Sequence, residues 1–592
     1  MNKKITRTIL AAMSALLIAG CGNTGKDTVK EESTKEITLQ AEVTTEAGTE
    51  TEMPAADVTE QLEEAKAYYY GGDGQAKDYE KAKSILTEIE DSGNADVYYF
   101  LGRIADKLND FNTAKDYYQK AIDGRCDLGL LAMGQLYQRG NGVEADYAKA
   151  GEYYDKAVAN GCVEANNGIG DLYQNGYGVE QDGAKAIEYF TKASECTDKE
   201  WKGYAYVSLG TVYQGKYPNV TQDYAKAMEW YQKGADIGDG DCIDNIGDLY
   251  YDGYGVEQSY ETAMEWYQKG AEIGDDSSMN SMGVLYHDGT GVTQDYDTAI
   301  EWYEKAAAMG NKYAMNNLGN VYSDDDYSGY DVTKAVKWYQ KGADAGYAPS
   351  MNALGVRYYD GYGNSHDYNR AKEWFLKAAA KGNADAMGNL GELYSNKDYG
   401  YYNMSKAAEW YQKAADAGNL KAMNNLAMLY YNGEGVEQDY SKTFELLKKS
   451  ADAGYHASMY NLGALYIEGK IAGQDYGQAM SYLEKAVDLG DTDAMRQIGI
   501  MYYDGLGVSK NYATAAEWFL KAAKAGNGKA MVDIGLSYEY GIGVSTNYDK
   551  ALYWYTLAYD AGIEIYQFTD GVFRVQDGIC RLRDAGAKPA DY

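Results

Sequence analysis

Proline, histidine, phenylalanine and cysteine are all scarce in this chain of 592 residues, at 4, 3, 8 and 6 respectively. So few prolines leave helices free of the residue that breaks them from inside. His287, His366 and His456 stand far apart in differing registers, so no His-centred nucleophile triad or zinc cluster can be assembled from them. Positive charge is short as well: Lys and Arg total 55 against 90 Asp and Glu, a net charge of −35. A field of that sign and size repels nucleic acid and anionic membrane surfaces, which excludes nucleic acid as a partner. No apolar run is long enough for a comfortable transmembrane helix. Of the cysteines, Cys126 and Cys162 occupy one register a repeat apart. Stacked helices would hold them about 8–10 Å apart, beyond the roughly 7 Å between α-carbons that a disulfide tolerates. Small buried hydrophobes are the expectation for them, and whether any of Cys126, Cys162, Cys196, Cys242 and Cys580 pair stays open.

What the chain has instead is a repeat. The stretch 223–255, DYAKAMEWYQKGADIGDGDCIDNIGDLYYDGYG, restarts from Tyr224 at Tyr260, Tyr296, Val332, Tyr368, Met404, Tyr440, Tyr476, Tyr512 and Tyr548, 36 residues apart each time. Self-similarity at such a period marks stacked supersecondary units, none of which buries its apolar face alone. Each half of a unit has apolar residues three and four apart, so each is an amphipathic helix. Gly238, Gly274, Gly310 and their successors to Gly562 close the first helix, as a left-handed glycine does cheaply. A second glycine, Gly247, Gly283, Gly319, Gly355, Gly391, Gly463, Gly499 or Gly535, lies inside the other helix, with Ala427 in its place once. Alanine there means that small size is required rather than positive φ, and the cost of about 1 kcal/mol for mid-helix glycine is offset by close approach of a partner helix. The period is 32 from Tyr79 to Phe111 and 41 from Gly183 to Tyr224. Four of the extra residues fall around Thr197 to Gly203, which reads as an enlarged turn. The sum is 14 helical hairpins ending near Gly562.

The pattern A-x-x-x-L-G-x-x-Y-x-x-G-x-G-V-x-x-D-Y-x-K-A-x-x-W-Y-x-K-A-A-x-x-G, seen in residues 493–526 and with departures at Ala427, Phe444, Leu446 and Leu447 in 422–454, resembles the Sel-one-like repeat, a relative of the tetratricopeptide repeat. The resemblance covers about residues 94 to 562. It implies an all-α fold, an α/α superhelical solenoid used as a protein-binding scaffold in signalling and envelope complexes. A cysteine-rich branch of that family is associated with β-lactam binding or hydrolysis, but the regular cysteine pairs of that branch are missing, so no enzyme is expected and no cofactor is called for.

At the N-terminus, residues 1–21, MNKKITRTILAAMSALLIAGC, have the layout of a secretory signal. Ile18-Ala19-Gly20-Cys21 resembles the lipobox of bacterial lipoproteins, which implies lipidation of Cys21 and an extracytoplasmic place on a cell membrane or outer membrane, with the lipid anchor as the sole membrane contact. Loss of Lys3, Lys4 and Arg7 with that signal takes the net charge from −35 to −38. Residues 22–57, rich in Thr and Glu, lack apolar periodicity and read as a disordered tether with a coil reach of about 30–36 Å. The solenoid spans 58–562. Residues 563–592 leave the pattern; DGVFRVQDGICRLRDAG still looks helical and reads as a capping helix.

The Trp series Trp230, Trp266, Trp302, Trp338, Trp374, Trp410, Trp518 and Trp554 is one per repeat, and Leu446 and Tyr482 share its register. Interchange with Leu suits packing between repeats better than a stacking ladder for ligand. Aromatic residues outside the registers are better binding candidates: Trp201 in the enlarged turn, and Tyr177, Tyr254 and Tyr362 in G-Y-G loops. Gly210 to Lys216, GTVYQGK, has the phosphate-loop spacing but puts Tyr217 where Ser or Thr must hold magnesium. Asp324, Asp326, Ser328 and Gly329 begin like a calcium loop whose twelfth position is Ala335 rather than Glu. The expected partner is a protein or peptide held in the superhelical groove. The alternative is a cell-wall or other glycan, whose hydroxyls the loop tyrosines and acidic side chains could engage.

Overall fold

The computed structural model describes residues 55–71, 78–361, 366–470, 473–568 and 571–588; the signal segment, Cys21, most of the tether, and Tyr362 lie outside them. Two compact units divide at Ser92 and Gly93. The first contains one hairpin, Ala55–Tyr70 with Tyr79–Glu88, so helix begins three residues before the Val58 expected from sequence. The second contains thirteen more among the described residues. They open with Ala95–Lys107 and Phe111–Asp123, continue with Asp127–Arg139 and Tyr147–Ala159, Asn166–Asn175 and Gly183–Ala193, and Lys199–Gln214 and Tyr224–Asp236. From Gly240–Asp252 and Tyr260–Glu272 each hairpin starts 36 residues after the last, ending with Gly528–Tyr540 and Tyr548–Asp560.

Within the second unit the first helix of each hairpin belongs to one layer and the second to another. The helices Lys199–Gln214, Gly240–Asp252 and Asp276–Asp288 touch one another directly along the stack, which places their layer on the inside of the curve; they are called inner helices below, and their partners outer. Asp or Asn caps most outer helices: Asp223, for example, accepts from Lys226 N, which satisfies one of the orphan N–H groups of the first turn. From Gly238 to Gly562 every turn from outer to inner helix, or to the cap, passes through a left-handed glycine, such as Gly238 at φ 81° and Gly310 at φ 98°, whereas Arg125 at φ 67° holds that conformation after Phe111–Asp123.

The core is a column of aromatic rings laid on glycine. Tyr231, Tyr267, Tyr303, Tyr339 and Tyr411 of the outer helices are all at most 4% exposed. Each lies flat against the helical glycine of its inner partner: a Cβ built on Gly247 would sit 2.4 Å from the Tyr267 ring, and on Gly319 2.4 Å from Tyr339. The glycine is therefore a steric requirement inside the helix, as Ala427 suggested. Ala427 itself faces a leucine, Leu447, in place of the ring. Buried hydroxyls find acceptors nearby, as Tyr267 Oη does on Asp248 Oδ1 at 2.7 Å and Tyr339 Oη on Asn320 Oδ1 at 2.9 Å, which avoids the penalty of an unmade bond.

The tryptophan series is packing, as its register implies. Trp266 and Trp302 each lie against the buried cluster of the preceding repeat, half-buried, with the outer faces covered by Lys269 and Lys305 at 4.0 and 3.9 Å from the ring centres. Lysine three residues on lies over the ring by helical geometry. A second seam joins successive inner helices: Asn317 Nδ2 donates to Asn280 Oδ1 at 3.0 Å, Asn389 to Asn352 at 2.9 Å and Asn461 to Asn424 at 2.8 Å. The cysteines Cys126, Cys162, Cys196 and Cys242 are free and buried, and Cys580 is free and exposed.

Two sequence expectations change. The four extra residues around Thr197–Gly203 do not enlarge a turn. They lengthen an inner helix to 16 residues, Lys199–Gln214, against 13 for Gly240–Asp252. An insertion of four is close to one turn of 3.6 residues, so the helix extends without rotating its face, and Asp198 caps the new start by accepting from Glu200 N and Trp201 N. The tail is not helical throughout either. Ile565–Phe568 pairs antiparallel with Gly571–Arg574 before the helix Val575–Asp584. Both strands are short runs of β-favouring residues, Ile565, Tyr566 and Phe568 in one and Val572 and Phe573 in the other, a signal that the helical reading passed over. Arg496, Asp533 and Tyr566 fasten this cap to the array: Arg496 Nε lies 2.6 Å from Asp533 Oδ2, and Tyr566 Oη is hydrogen-bonded to both side chains.

Candidate functional site

Among the described residues, a cleft of about 680 Å³ opens on the inner layer between the helices Ala95–Lys107 and Gly240–Asp252. Its width is set by curvature, which brings side chains from hairpins far apart in sequence to face each other. Arg103, 8% exposed, donates from Nη1 to Tyr99 Oη at 2.7 Å and from Nη2 to Glu200 Oε1 at 3.4 Å, 97 residues away. Its guanidinium carbon lies 5.6 Å from the centre of the Trp201 ring, a cation–π distance. Trp201 is half-buried, and Asn167 Nδ2 donates to its carbonyl at 3.0 Å. Tyr204, one turn on, donates to both oxygens of Asp171 at 2.9 Å. The extra turn of Lys199–Gln214 is what carries Glu200 and Trp201 onto the same face as Tyr204 and Val207.

The far wall continues as a line of carboxylates. Asp241, Asp244 and Asp248 are three and four residues apart on Gly240–Asp252, one face of one helix. Ser281 Oγ donates to Asp244 Oδ1 at 3.0 Å, and Asp275 caps the next inner helix at Ser278 N. Burial raises all of these carboxyls above the usual carboxylate range, and neighbouring carboxylates add to it at Asp241, Asp244, Asp248 and Asp275, whereas at Asp171 the side chains of Tyr204, Gln138 and Arg139 oppose it; Asp171 and Asp241 are pushed up to about 6. A carboxyl that ionises less readily when folded holds its proton more tightly in the native state, so stability rises as pH falls through its folded pKa. His456, raised chiefly by its hydrogen bond to Asp491 Oδ2 at 2.7 Å, has the same sign. The melting temperature is therefore expected to be several degrees higher at about pH 5.5 than at about pH 7.5, measured at constant ionic strength. An equal or lower value at the acidic pH contradicts this reading.

Of the residues singled out in sequence, Trp201 alone lines the cleft. Tyr177 and Tyr254 stand at the loop edge, 37% and 44% exposed, each with one face stacked on the first tyrosine of an outer helix, Tyr147 at 4.6 Å and Tyr224 at 5.1 Å. Asp324, the start of the calcium-loop look-alike, caps Asp326 N and accepts from Tyr296 Oη. Sequence reasoning missed Arg103, Asp171 and Tyr204. The residue after the helical glycine carries the signal for two of them: it is Arg103, Gln135 and Asp171 in the early repeats but Val356, Ile500 and Leu536 later. No helix among the described residues is long and apolar enough to cross a membrane.

No curated protein matches the chain. Solved structures do. A protective antigen of uropathogenic Escherichia coli strains displaying an SLR fold is 30% identical over 74% of this chain and 98% of its own, with a TM-score of 0.42. A Sel1 repeat protein from Oxalobacter formigenes is 26% identical over 60% and 90%, with a TM-score of 0.35. Cysteine rich protein B of Helicobacter pylori is 24% identical over 24% and 100%, with a TM-score of 0.20. The Sel1 repeat model matches 14 consecutive segments from 65–87 to 528–563, in step with the hairpins, and the chain belongs to the Sel1 repeat family of protein–protein interaction scaffolds.

Proposed function

We propose that the protein is a lipid-anchored, extracytoplasmic scaffold that binds a protein or peptide in the groove of its inner helices. The observation that carries this is the Arg103–Glu200–Trp201 arrangement. Side chains from the first and fourth hairpins of the second unit meet over a cleft of about 680 Å³, with an aromatic ring, charged groups and amides converging there. Aromatic and arginine side chains at the centre of a concave surface are where binding energy concentrates. The Cys21 signature supports the anchor, and the acidic tether would hold the solenoid away from the bilayer.

The test uses a photo-crosslinking residue at Tyr204, in the cleft, and at Trp302, on the outer layer. Irradiation in cell envelopes is expected to join a discrete protein to the first and not the second, and Trp201→Ala is expected to reduce that product at least about tenfold. Equal capture from both positions, or none from Tyr204, defeats the groove reading. Radiolabelled palmitate is expected to enter the chain and not its Cys21→Ser variant. The glycan alternative rests on the exposed faces of Tyr177 and Tyr254 at the loop edge; loss of binding to cell-wall fragments on changing both to Ala would favour it.

A further inference from the structure

A solenoid bends easily, because each repeat touches only its neighbours and curvature is the sum of small rotations from one repeat to the next. In the second unit one contact escapes that rule. Arg103, on the inner helix of the first hairpin, reaches Glu200 Oε1 and the face of Trp201 on the inner helix of the fourth, 97 residues along the chain. The contact exists because Lys199–Gln214 has 16 residues, where the other inner helices of that unit have 10 to 13. Of the additional turn, Trp201 packs against the core cluster of the second and third hairpins, while Lys199 and Glu200 are exposed. The turn is held on both sides of the groove. At its base Asn167 of the third hairpin donates to the Trp201 carbonyl at 3.0 Å, and Tyr204 bonds Asp171 of the same hairpin. At its tip the hold is weaker: the ion pair is 3.4 Å long, and the side chain of Glu200 is 49% exposed. A charged pair in good geometry is about 2.7–2.9 Å long, and an exposed one biases an equilibrium by no more than about fivefold. When the pair opens, Arg103 keeps its 2.7 Å bond to Tyr99 Oη, so release does not strand a buried charge.

We propose that this turn is a latch. The Arg103–Glu200 contact, closing over Trp201, fixes the curvature of the first four hairpins of the second unit and with it the width of the cleft, and its opening admits the bound segment. The fastening is a charge pair rather than an apolar contact, which makes it sensitive to salt and lets it part without disturbing the hairpin cores on either side. A partner that fits the wide cleft better draws the latch open, by as much as its affinities for the two states differ. Admission of a partner rests on the groove being a protein-binding surface; the control of curvature rests on the 97-residue contact alone.

Nitroxides attached to non-canonical residues at Asp116 and Glu229, exposed on the outer helices of the first and fourth hairpins, report the curvature as a distance in the full chain, in detergent and without a partner. Glu200→Ala is expected to lengthen the mean distance by about 3–6 Å, the sum of shifts of about 1–2 Å at the three interfaces between those hairpins. About 0.5 M salt is expected to move the unsubstituted protein in the same direction. Glu188→Gln removes an ion pair to Lys192 on the outer helix of the third hairpin and is expected to leave the distance unchanged. A distance that Glu200→Ala does not alter, or that Glu188→Gln alters equally, overturns the proposal. The photo-crosslinking residue at Tyr204 tests the second half: Glu200→Ala is expected to raise its yield at least about threefold, as the competent fraction grows. An equal or lower yield from a protein whose distance has lengthened makes the closed form the binding one and overturns the proposal as well. No product from either protein, with the distance lengthened, upholds the latch and defeats the groove reading alone.

Discussion

Gly319→Ala should destabilise the array by about 2 kcal/mol, although alanine is the better helix former by about 1 kcal/mol. The new methyl would stand 2.4–2.8 Å from three atoms of the Tyr339 ring. That ring is 4% exposed and tied by its hydroxyl to Asn320, so it has no room to step aside, and overpacking of this kind costs about 3 kcal/mol at its upper range. Ala427 shows how the chain itself solves the problem: where the glycine becomes alanine, the facing ring becomes Leu447. Tyr339→Leu added to Gly319→Ala is therefore expected to recover most of the loss, giving a coupling of more than about 1 kcal/mol between the two sites in denaturant titration. Gly388→Ala is the control. It is helical too, but its nearest neighbours are at 3.7 Å or beyond, so the same substitution should stabilise by up to about 1 kcal/mol. A coupling of zero, or a neutral Gly319→Ala, would refute the ring-on-glycine account of the core.

That account also says why so much of the fold was legible. A solenoid restates one local solution, and thirteen or fourteen restatements average away the exceptions that mislead single-sequence reading. The helical glycine and the tryptophan register each have a fixed partner at a fixed sequence distance, Tyr339 twenty residues after Gly319 and Lys269 three after Trp266, and the turn glycines answer to a fixed backbone conformation. The two structural misreadings fall where the repeat stops averaging. One is the four-residue insertion, where Gly203 suggested a turn and Asp198 in fact began a longer helix. The other is the tail, which has no sister copy.

The site was legible only in part, for a different reason. Trp201 stood out because it broke register. Its neighbours Arg103 and Glu200 are 97 residues apart, and which repeats face each other depends on the rotation accumulated per repeat. Small differences in packing set that rotation, and no periodic pattern encodes it. The carboxylate line is an intermediate case. Three acids at helical spacing can be read from residues 241–248, but that Asp241 lines the cleft while Asp244 and Asp248 bond Ser281 and Tyr267 cannot.

Asp533→Ala is expected to cost about 3–5 kcal/mol, because it leaves the Arg496 charge buried without its partner. The side chains of Arg496 and Asp533 are 19% and 11% exposed, and Tyr566 of the terminal hairpin gives its hydroxyl to the same carboxylate. A second link, Arg581 Nη2 to Glu539 Oε1 at 2.7 Å with Tyr555 donating to Oε2 at 2.8 Å, closes the same end. Solenoid stability is a sum of repeats and nearest-neighbour interfaces, so the damage should stay local. Hydrogen exchange is expected to accelerate from Thr492 to the C-terminus while the repeats around the cleft keep their protection. Replacing Arg496 and Asp533 together by leucine should cost less than Asp533→Ala alone, since removing both charges leaves neither stranded. If protection instead fell evenly along the chain, the cap would be a keystone for the whole array rather than a cover for its last two hairpins, and the nearest-neighbour description would fail.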